Sequence, residues 1–290
     1  MAIKLLFMNR NNVSITIFTP TYNRAHLLPR LYESLILLEN CDFEWVIVDD
    51  GSIDSTEQVV NEFIKKAFFP IFYFKKENEG KHTAINEGVM KANGELFFIV
   101  DSDDFLPSDS LDKITHYYKK IEGEDEIAGV VGKKKIINNN AVNYNFKQKE
   151  FICSAFDFRY NYNYTGDMAE VYRTDVLRKF LFPVFEGEKF VTESVVWFRI
   201  AKKYRLLYFD EFIYNCEYQE DGLTDNYRKL IENNPKGSLL YYRELLTYSI
   251  PESEKRKIAR IYYRLARKHK IGYWRILKEI GVKNFVKQFI

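Results

Sequence analysis

Three acids fall within four positions at Asp101-Ser102-Asp103-Asp104, directly after the apolar run Leu96 to Val100. Carboxylates spaced this way at a strand end can hold a divalent cation. Mg²⁺ typically takes one or two protein carboxylates and completes its shell with substrate phosphates and water. The same string can instead be a polar turn that caps the next helix. Mutual repulsion weighs against the turn reading, since a cation or donor groups would offset it. A second acidic string, Asp49-Asp50-Gly51-Ser52, follows Glu44 to Val48 and taken alone is a common turn. In Asn78-Glu79-Gly80-Lys81-His82, Lys81 or the N–H groups of a helix start can meet phosphate, although most such lysines are simply solvated. Glu193 stands just before the apolar, helically spaced Val195, Val196, Ile200 and Ala201; read in isolation, an acid there suits the helix dipole.

The elements that must position these residues alternate between two periods. Val13 to Thr19, Glu44 to Val48, Ile71 to Phe74 and Leu96 to Val100 read as short apolar strands, the first bounded by Pro20. Between them, Leu27, Leu28, Leu31, Leu35 and Leu38, then Val59, Val60, Phe63 and Ile64 behind a capping Asp54, then Ala84 to Ala92, recur at helical spacing. Pro107-Ser108 opens a further helix with Leu111, Ile114 and Tyr118. Such alternation predicts an α/β fold with a mostly parallel sheet covered on both faces. Ligands of such sheets bind beyond the carboxyl ends of the strands, where Thr19-Pro20, Asp49-Asp50 and Asp101 to Asp104 all fall.

The second half is less regular. Ile127 to Val131 reads as a strand, Lys133 to Asn145 as a polar loop, Val176 to Phe180 as helix, and Leu206 to Phe209 and Phe212 to Tyr214 as two strands. Residues 228–250 and 254–280 read as two helices joined at Ser249-Ile250-Pro251. Gly-x-x-x-x-Gly-Lys-Ser/Thr is absent, and Gly-x-Gly-x-x-Gly does not follow the first strand, which disfavours P-loop and dinucleotide sites. Gly-x-Ser-x-Gly is absent too.

Taken in order, the motifs resemble glycosyltransferase family 2, whose members have the GT-A fold. They are Thr19-Pro20-Thr21-Tyr22-Asn23-Arg24, Val48-Asp49-Asp50-Gly51-Ser52-Ile53-Asp54, Asn78 to His82 ahead of Ala84-Ile85-Asn86-Glu87-Gly88, and Asp101 to Asp104. The resemblance implies an inverting enzyme that moves a sugar from a nucleotide-sugar, UDP being the commonest nucleotide, to an acceptor hydroxyl, with Mg²⁺ or Mn²⁺ as cofactor. It places Thr19, Pro20, Tyr22, Asp49, Asp50, Lys81, Asn86, Asp101 and Ser102 around the nucleotide-sugar, and the metal on Asp103 and Asp104. Asp167, in Gly166-Asp167-Met168-Ala169-Glu170, would shape the sugar or acceptor site. The family's base is an acid that often stands in a Glu-Asp pair. Here the pair reads Glu193-Ser194, leaving Glu193 as candidate, with Glu188 and Glu186 behind it. A GT-A domain over 1–225 follows, its nucleotide-binding half about 13–125 and its acceptor half about 126–225, with a basic helical extension over 226–290.

Charge is unevenly divided. Residues 254–290 carry twelve Lys or Arg against two acids, net +10, so the overall +2 leaves −8 on residues 1–253. In that tail Ile258, Ile261, Tyr262, Leu265, Ile276, Leu277 and Ile280 recur at helical spacing. A basic amphipathic helix can lie on an anionic membrane surface or pack on the acidic body, and the sequence leaves both open. No run approaches the roughly 18 apolar residues of a spanning helix. Met1 to Asn12 lacks a secretory pattern, and Cys41, Cys153 and Cys216, odd in number and far apart, suit a reducing compartment. The expectation is a cytoplasmic enzyme, peripheral at the inner face of the cell membrane. It would act on a saccharide or lipid-linked saccharide in polysaccharide or glycolipid synthesis. The alternatives are a nucleotidyltransferase, whose Gly-rich basic loop is missing, and a nucleic-acid-binding module built on the tail. Nucleic acid is not expected, because the cations lie away from the acidic rim.

Overall fold

The computed structural model describes residues 14–137, 146–164, 166–217 and 223–287, with 223–226 as backbone only. The expected loop over Lys133 to Asn145 therefore lies partly outside the described residues. Eight strands, β1 (Ile15–Thr21), β2 (Phe43–Asp49), β3 (Ile71–Lys75), β4 (Leu96–Ile99), β5 (Ile127–Ile136), β6 (Glu150–Cys153), β7 (Met168–Arg173) and β8 (Arg205–Cys216), form one sheet. Its order is β3-β2-β1-β4-β7-β5-β8-β6. Pairings are parallel except those of β7 with β4 and β5, and of β6 with β8. The sheet is thus mostly parallel, as the strand–helix alternation predicts.

Side-chain alternation assigns each strand residue to one of two cores. Phe43, Trp45 and Ile47 of β2 join Leu96 and Phe98 of β4 beneath α1 (Leu28–Ile36), α2 (Thr56–Lys66) and α4 (Ser110–Lys119). Val46, Val48 and Phe97 face the other side, covered by α3 (Lys81–Lys91), α5 (Thr174–Leu177) and α6 (Ser194–Ala201).

Several boundaries differ from the sequence expectations. Strand β1 runs through Pro20 to Thr21. Strand β4 ends at Ile99, paired with Phe18, so beyond that point β1 has a neighbour on one side only and a residue lacking an N–H costs little. Strand β5 continues through Lys133-Lys134-Lys135 instead of becoming a loop. Lys133 pairs with Asp210 at 2.6 Å and lies over the Phe212 ring, while Lys134 lies over Tyr214. The two short strands expected around Phe209 and Phe212 are one, β8.

The two long C-terminal helices are four: α7 (Leu223–Asn233), α8 (Pro235–Leu245), α9 (Glu252–Lys268) and α10 (Tyr273–Lys287). Pro235 opens α8 where its missing N–H is harmless, and Lys270 (φ 59°) followed by Gly272 ends α9. Ile258, Ala259, Tyr262, Leu265, Ala266, Ile276 and Ile280 pack on Tyr242, Leu245 and Leu246, and on Phe198 of α6. Most of the tail's apolar stripe is therefore core. Tyr262 is fully buried and donates its hydroxyl to Glu279. Tyr262→Ala is expected to cost roughly 3–5 kcal/mol in denaturant unfolding. A loss below about 1 kcal/mol would mean that the helices contribute little to the body.

Candidate active site

Six strands that run the same way, β1 to β5 and β8, point their carboxyl ends to one rim, and β7, running the opposite way, delivers its amino end there. Asp49 ends β2 and Asp50 follows it. The Asp49 carboxylate is fully buried and accepts from the Ser52 N–H (2.7 Å) and the Tyr73 hydroxyl (2.5 Å). Asp50, also buried, accepts from Lys76 Nζ (3.1 Å) and from the N–H groups of Glu79 (3.0 Å) and Gly80 (2.7 Å). Gly80 holds φ +102°, and a Cβ there would sit 1.9 Å from the Lys189 carbonyl oxygen. Glycine is therefore required where the turn before α3 touches the segment leading to Glu193.

That contact sets up the centre of the site. Lys81 opens α3, and its Nζ lies 2.7 Å from Asp101 Oδ1 and 2.8 Å from Glu193 Oε1. Glu193 makes no capping hydrogen bond to α6. Its carboxylate stays at the helix start, where an acid suits the dipole, and is directed to Lys81. Burial disfavours the Asp101 charge, but Lys81, Lys134 and Arg24 outweigh it and hold the carboxyl below its ordinary range. Burial likewise opposes the Lys81 charge, and Asp101 and Glu193 reverse the balance, raising its pKa.

The remaining acids are set from β8. Buried Tyr214 accepts from the Asp101 N–H (3.0 Å) and donates to Asp104 Oδ2 (2.6 Å). Phe105 and Asn215 form an antiparallel bridge beside them. Burial and the Asp101 charge push Asp104 up to about 7 and raise Asp103 as well. Asp103 makes no ion pair among the described residues. Across the rim Lys134 feels Asp101, Asp167, Glu170 and Asp104.

Among the residues singled out from sequence, Asp50, Lys81, Asp101, Ser102, Asp103, Asp104 and Glu193 come together. Tyr22 is exposed at the mouth, and Asp167 is exposed at the start of β7. Thr19 and Pro20 are buried within β1, and the Thr19 hydroxyl accepts from Trp45 Nε1 (2.9 Å). Asn86 bonds both the carbonyl and the N–H of Phe182 (2.9 and 2.8 Å). Thr19, Asp49 and Asn86 are thus committed to the protein and act as supports. Glu188 places its two oxygens on the Lys236 and Gly237 N–H groups (2.7 and 2.9 Å), capping α8, which removes it as an alternative base. Tyr214 and Lys134 carried no functional sequence signal, since nothing local marks a strand residue that reaches another strand's turn, and Glu170 stood only at the end of the Gly166 to Glu170 segment with no role given to it.

Beside Ser194, the residue after Glu193, lies a small pocket walled by Tyr172, Trp197, Phe198 and Tyr208, with Glu170 and Arg159 as its charged members. Burial, with help from Asp167 and Glu193, pushes Glu170 up to about 7 despite Lys134.

The single sheet flanked by helices, with its acidic rim, is the GT-A architecture of nucleotide-sugar transferases. The glycosyl transferase family 2 pattern matches residues 16–181, and the chain belongs to that family. It is 32% identical over 114 residues to an uncharacterized glycosyltransferase of Mycoplasma pneumoniae, a match spanning 38% of either chain. The GalNAc(5)-diNAcBac-PP-undecaprenol beta-1,3-glucosyltransferase of Campylobacter jejuni is 26% identical over 296 residues, spanning 93% of this chain and 89% of that one. Among solved structures, S. aureus TarS in complex with UDP superposes with a TM-score of 0.61 at 20% identity, covering 90% of this chain and 73% of that one. The mannosyltransferase PcManGT of Pyrobaculum calidifontis, in complex with GDP-Man and Mn²⁺, gives 0.56 at 17% identity, covering 96% and 81%.

The Glu170 shift has a defined sign. Its folded-state pKa of about 7 lies above the ordinary 4.5, so the folded chain keeps a proton that the unfolded chain loses. Stability contributed by that proton is full below about pH 4.5 and is lost as pH rises towards 7. Glu170→Gln should flatten this decline and stabilise the chain by about 1–3 kcal/mol at pH 8. Parallel pH–stability curves for the two proteins would contradict it.

Proposed function

We propose that the protein is an inverting, metal-dependent glycosyltransferase that moves a sugar from a nucleoside-diphosphate sugar, in the first instance a UDP-sugar, to a hydroxyl of a saccharide or lipid-linked saccharide. The observation that carries this reading is the placement of Glu193 beside the acidic rim, joined to Asp101 through Lys81. Residues 13–125 form the donor half, 126–225 the acceptor half, and 226–290 the extension. UDP in the TarS complex and the undecaprenol named for the Campylobacter relative support the donor and the lipid-linked acceptor, and with them a role in cell-surface polysaccharide or glycolipid synthesis.

The donor's nucleotide lies against the Asp50-held turn and Tyr22, with its diphosphate towards Lys81, Asp101 and Ser102. Asp103 suits a divalent cation: it is an oxygen ligand among other acids, without a protein cation of its own. Among the described residues no three His, Cys, Asp or Glu side chains make a metal site by themselves. Asp103, with Asp104 beside it, would hold Mg²⁺ or Mn²⁺, a cation that typically takes one or two protein carboxylates together with substrate phosphates. Asp104, held by Tyr214, supports Asp103. A bound cation neutralises charge on the departing diphosphate. Glu193 takes the acceptor hydroxyl's proton while that oxygen attacks the anomeric carbon from the face opposite the diphosphate. The carbon–oxygen bond to the diphosphate breaks, and configuration inverts. Asp167 and the aromatic pocket beside Ser194 serve the acceptor side.

Glu193→Gln should reduce transfer by at least about a hundredfold while donor binding persists, measured by product formation and calorimetry. Turnover near that of the native protein would rule out Glu193 as base.

The enzyme works as a peripheral protein at the inner membrane face. No helix among the described residues is long and apolar enough to cross a membrane. The support for surface binding is what the buried stripe leaves outside. Arg256, Arg260 and Arg264 are exposed at four-residue spacing on α9, and Trp274 is 85% exposed at the start of α10. Attraction is about 1 kcal/mol per cation near an anionic surface. Replacing the three arginines by glutamate should therefore weaken sedimentation with phosphatidylglycerol vesicles about a hundredfold or more. Unchanged sedimentation would exclude this face.

A further inference from the structure

Lys81 is shared between two carboxylates that the proposed reaction uses differently. Asp101 belongs to the donor rim and Glu193 is the base, and Lys81 Nζ stands 2.7 and 2.8 Å from them. Among the described residues no other cation lies in ion-pair distance of either. A carboxylate tied to an ammonium is a poor base, because its charged form is stabilised and a lone pair is occupied. Glu193 must therefore be released before it can accept a proton.

The surroundings confine that release to one side chain. Asp50 holds the backbone before Lys81 through Glu79 and Gly80. Gly80 rests on Lys189, whose N–H donates to Asn234 (2.8 Å), and Glu188 beside it caps α8. The chain is thus tied just before Lys81 at Glu79-Gly80 and upstream of Glu193 at Glu188-Lys189, and the flexible lysine stem is the part with conformations to spare. Its side chain is only 26% exposed, against 32% for Asp101 and 37% for Glu193, so all three line the cleft and an incoming ligand can reach them.

We propose that Lys81 is a donor-released latch: the donor diphosphate draws its ammonium away from Glu193 and so frees the base only when donor is bound. A diphosphate offers more charge and more acceptor oxygens than one carboxylate, which gives it the stronger claim on the ammonium. Without donor, Glu193 stays neutralised and the acceptor hydroxyl keeps its proton. Lys81 is then a positioning residue that couples occupancy of the donor half to competence of the acceptor half. The inference rests on the donor and base assignments above.

A double-mutant cycle on UDP affinity, measured by calorimetry with Mn²⁺ and repeated with GDP, tests the latch without knowledge of the acceptor. Lys81→Met should weaken binding about tenfold or more. Glu193→Gln, by releasing the lysine, should tighten it about two- to fivefold. In the Lys81→Met background that gain should disappear, and Lys81→Arg should retain most of the affinity. Melting curves establish that each variant is folded, and Lys81→Gln closes the same cycle if Lys81→Met is not. No tightening in Glu193→Gln overturns the latch. So does an equal tightening with and without Lys81, which would mean simple charge repulsion by Glu193. Failure of the native chain to bind either diphosphate with Mn²⁺ is a separate result: it removes the donor assignment and the latch with it.

Discussion

The buried carboxylate of Asp50 is the constraint on which the rim depends. It accepts two consecutive backbone N–H groups and one ammonium, and so forces the chain after β3 into the turn that only Gly80 can make. That turn has two results. It aims Lys81 at the cleft from the first residue of α3, and it seats Gly80 against the Lys189 carbonyl. A short hydrogen-bonded loop thereby registers the β1–β4 part of the sheet against the segment leading to Glu193. Removing the Asp50 carboxylate would leave buried N–H groups without partners, a cost of about 1–3 kcal/mol each, and would unlock both contacts at once.

Sheet topology supplies the second half of the rim. Because β7 runs against its neighbours, its amino end, with Asp167 and Glu170, lies beside the carboxyl ends of β4 and β5. Parallel pairing of β8 with β5 carries Tyr214 to the Asp101–Asp104 turn. Acids from three strands are thus concentrated in one place, and their repulsion is met in part by Lys81 and Lys134. Asp103 and Asp104, which make no ion pair among the described residues, are driven towards the neutral form, as is Glu170. A cation and a diphosphate bound together suit such a rim.

The parallel half of the fold was legible because its signals are local. Apolar runs of four to seven residues alternate with helical spacing, and each acidic turn directly follows its strand. What sequence reading lacked are relations between distant segments. Lys133 to Lys135 look like loop residues until Asp210, Phe212 and Tyr214 of β8 are placed beside them. Glu188 stands behind Glu193 as a second candidate base until α8 claims the one and Lys81 the other. Asn86 lies within a resemblance motif, yet its amide is spent on Phe182. Pro235 is a different case, a local signal that marks a helix start inside what periodicity alone reads as one helix. The tail divides in the same way: helical spacing found the apolar stripe, and only the packing on Phe198 and α8 reveals that this stripe is core and that the arginine row is the outer surface.

The central claim is that the acidic rim takes a nucleoside-diphosphate sugar together with a metal. Thermal stabilisation by a panel of UDP-, GDP- and other nucleoside-diphosphate sugars, with and without Mn²⁺, tests it most directly. One nucleotide class should raise the melting temperature in the presence of Mn²⁺, and the rise should vanish in Asp103→Asn. A rise of equal size without metal, or stabilisation by nucleoside triphosphates alone, would contradict the account.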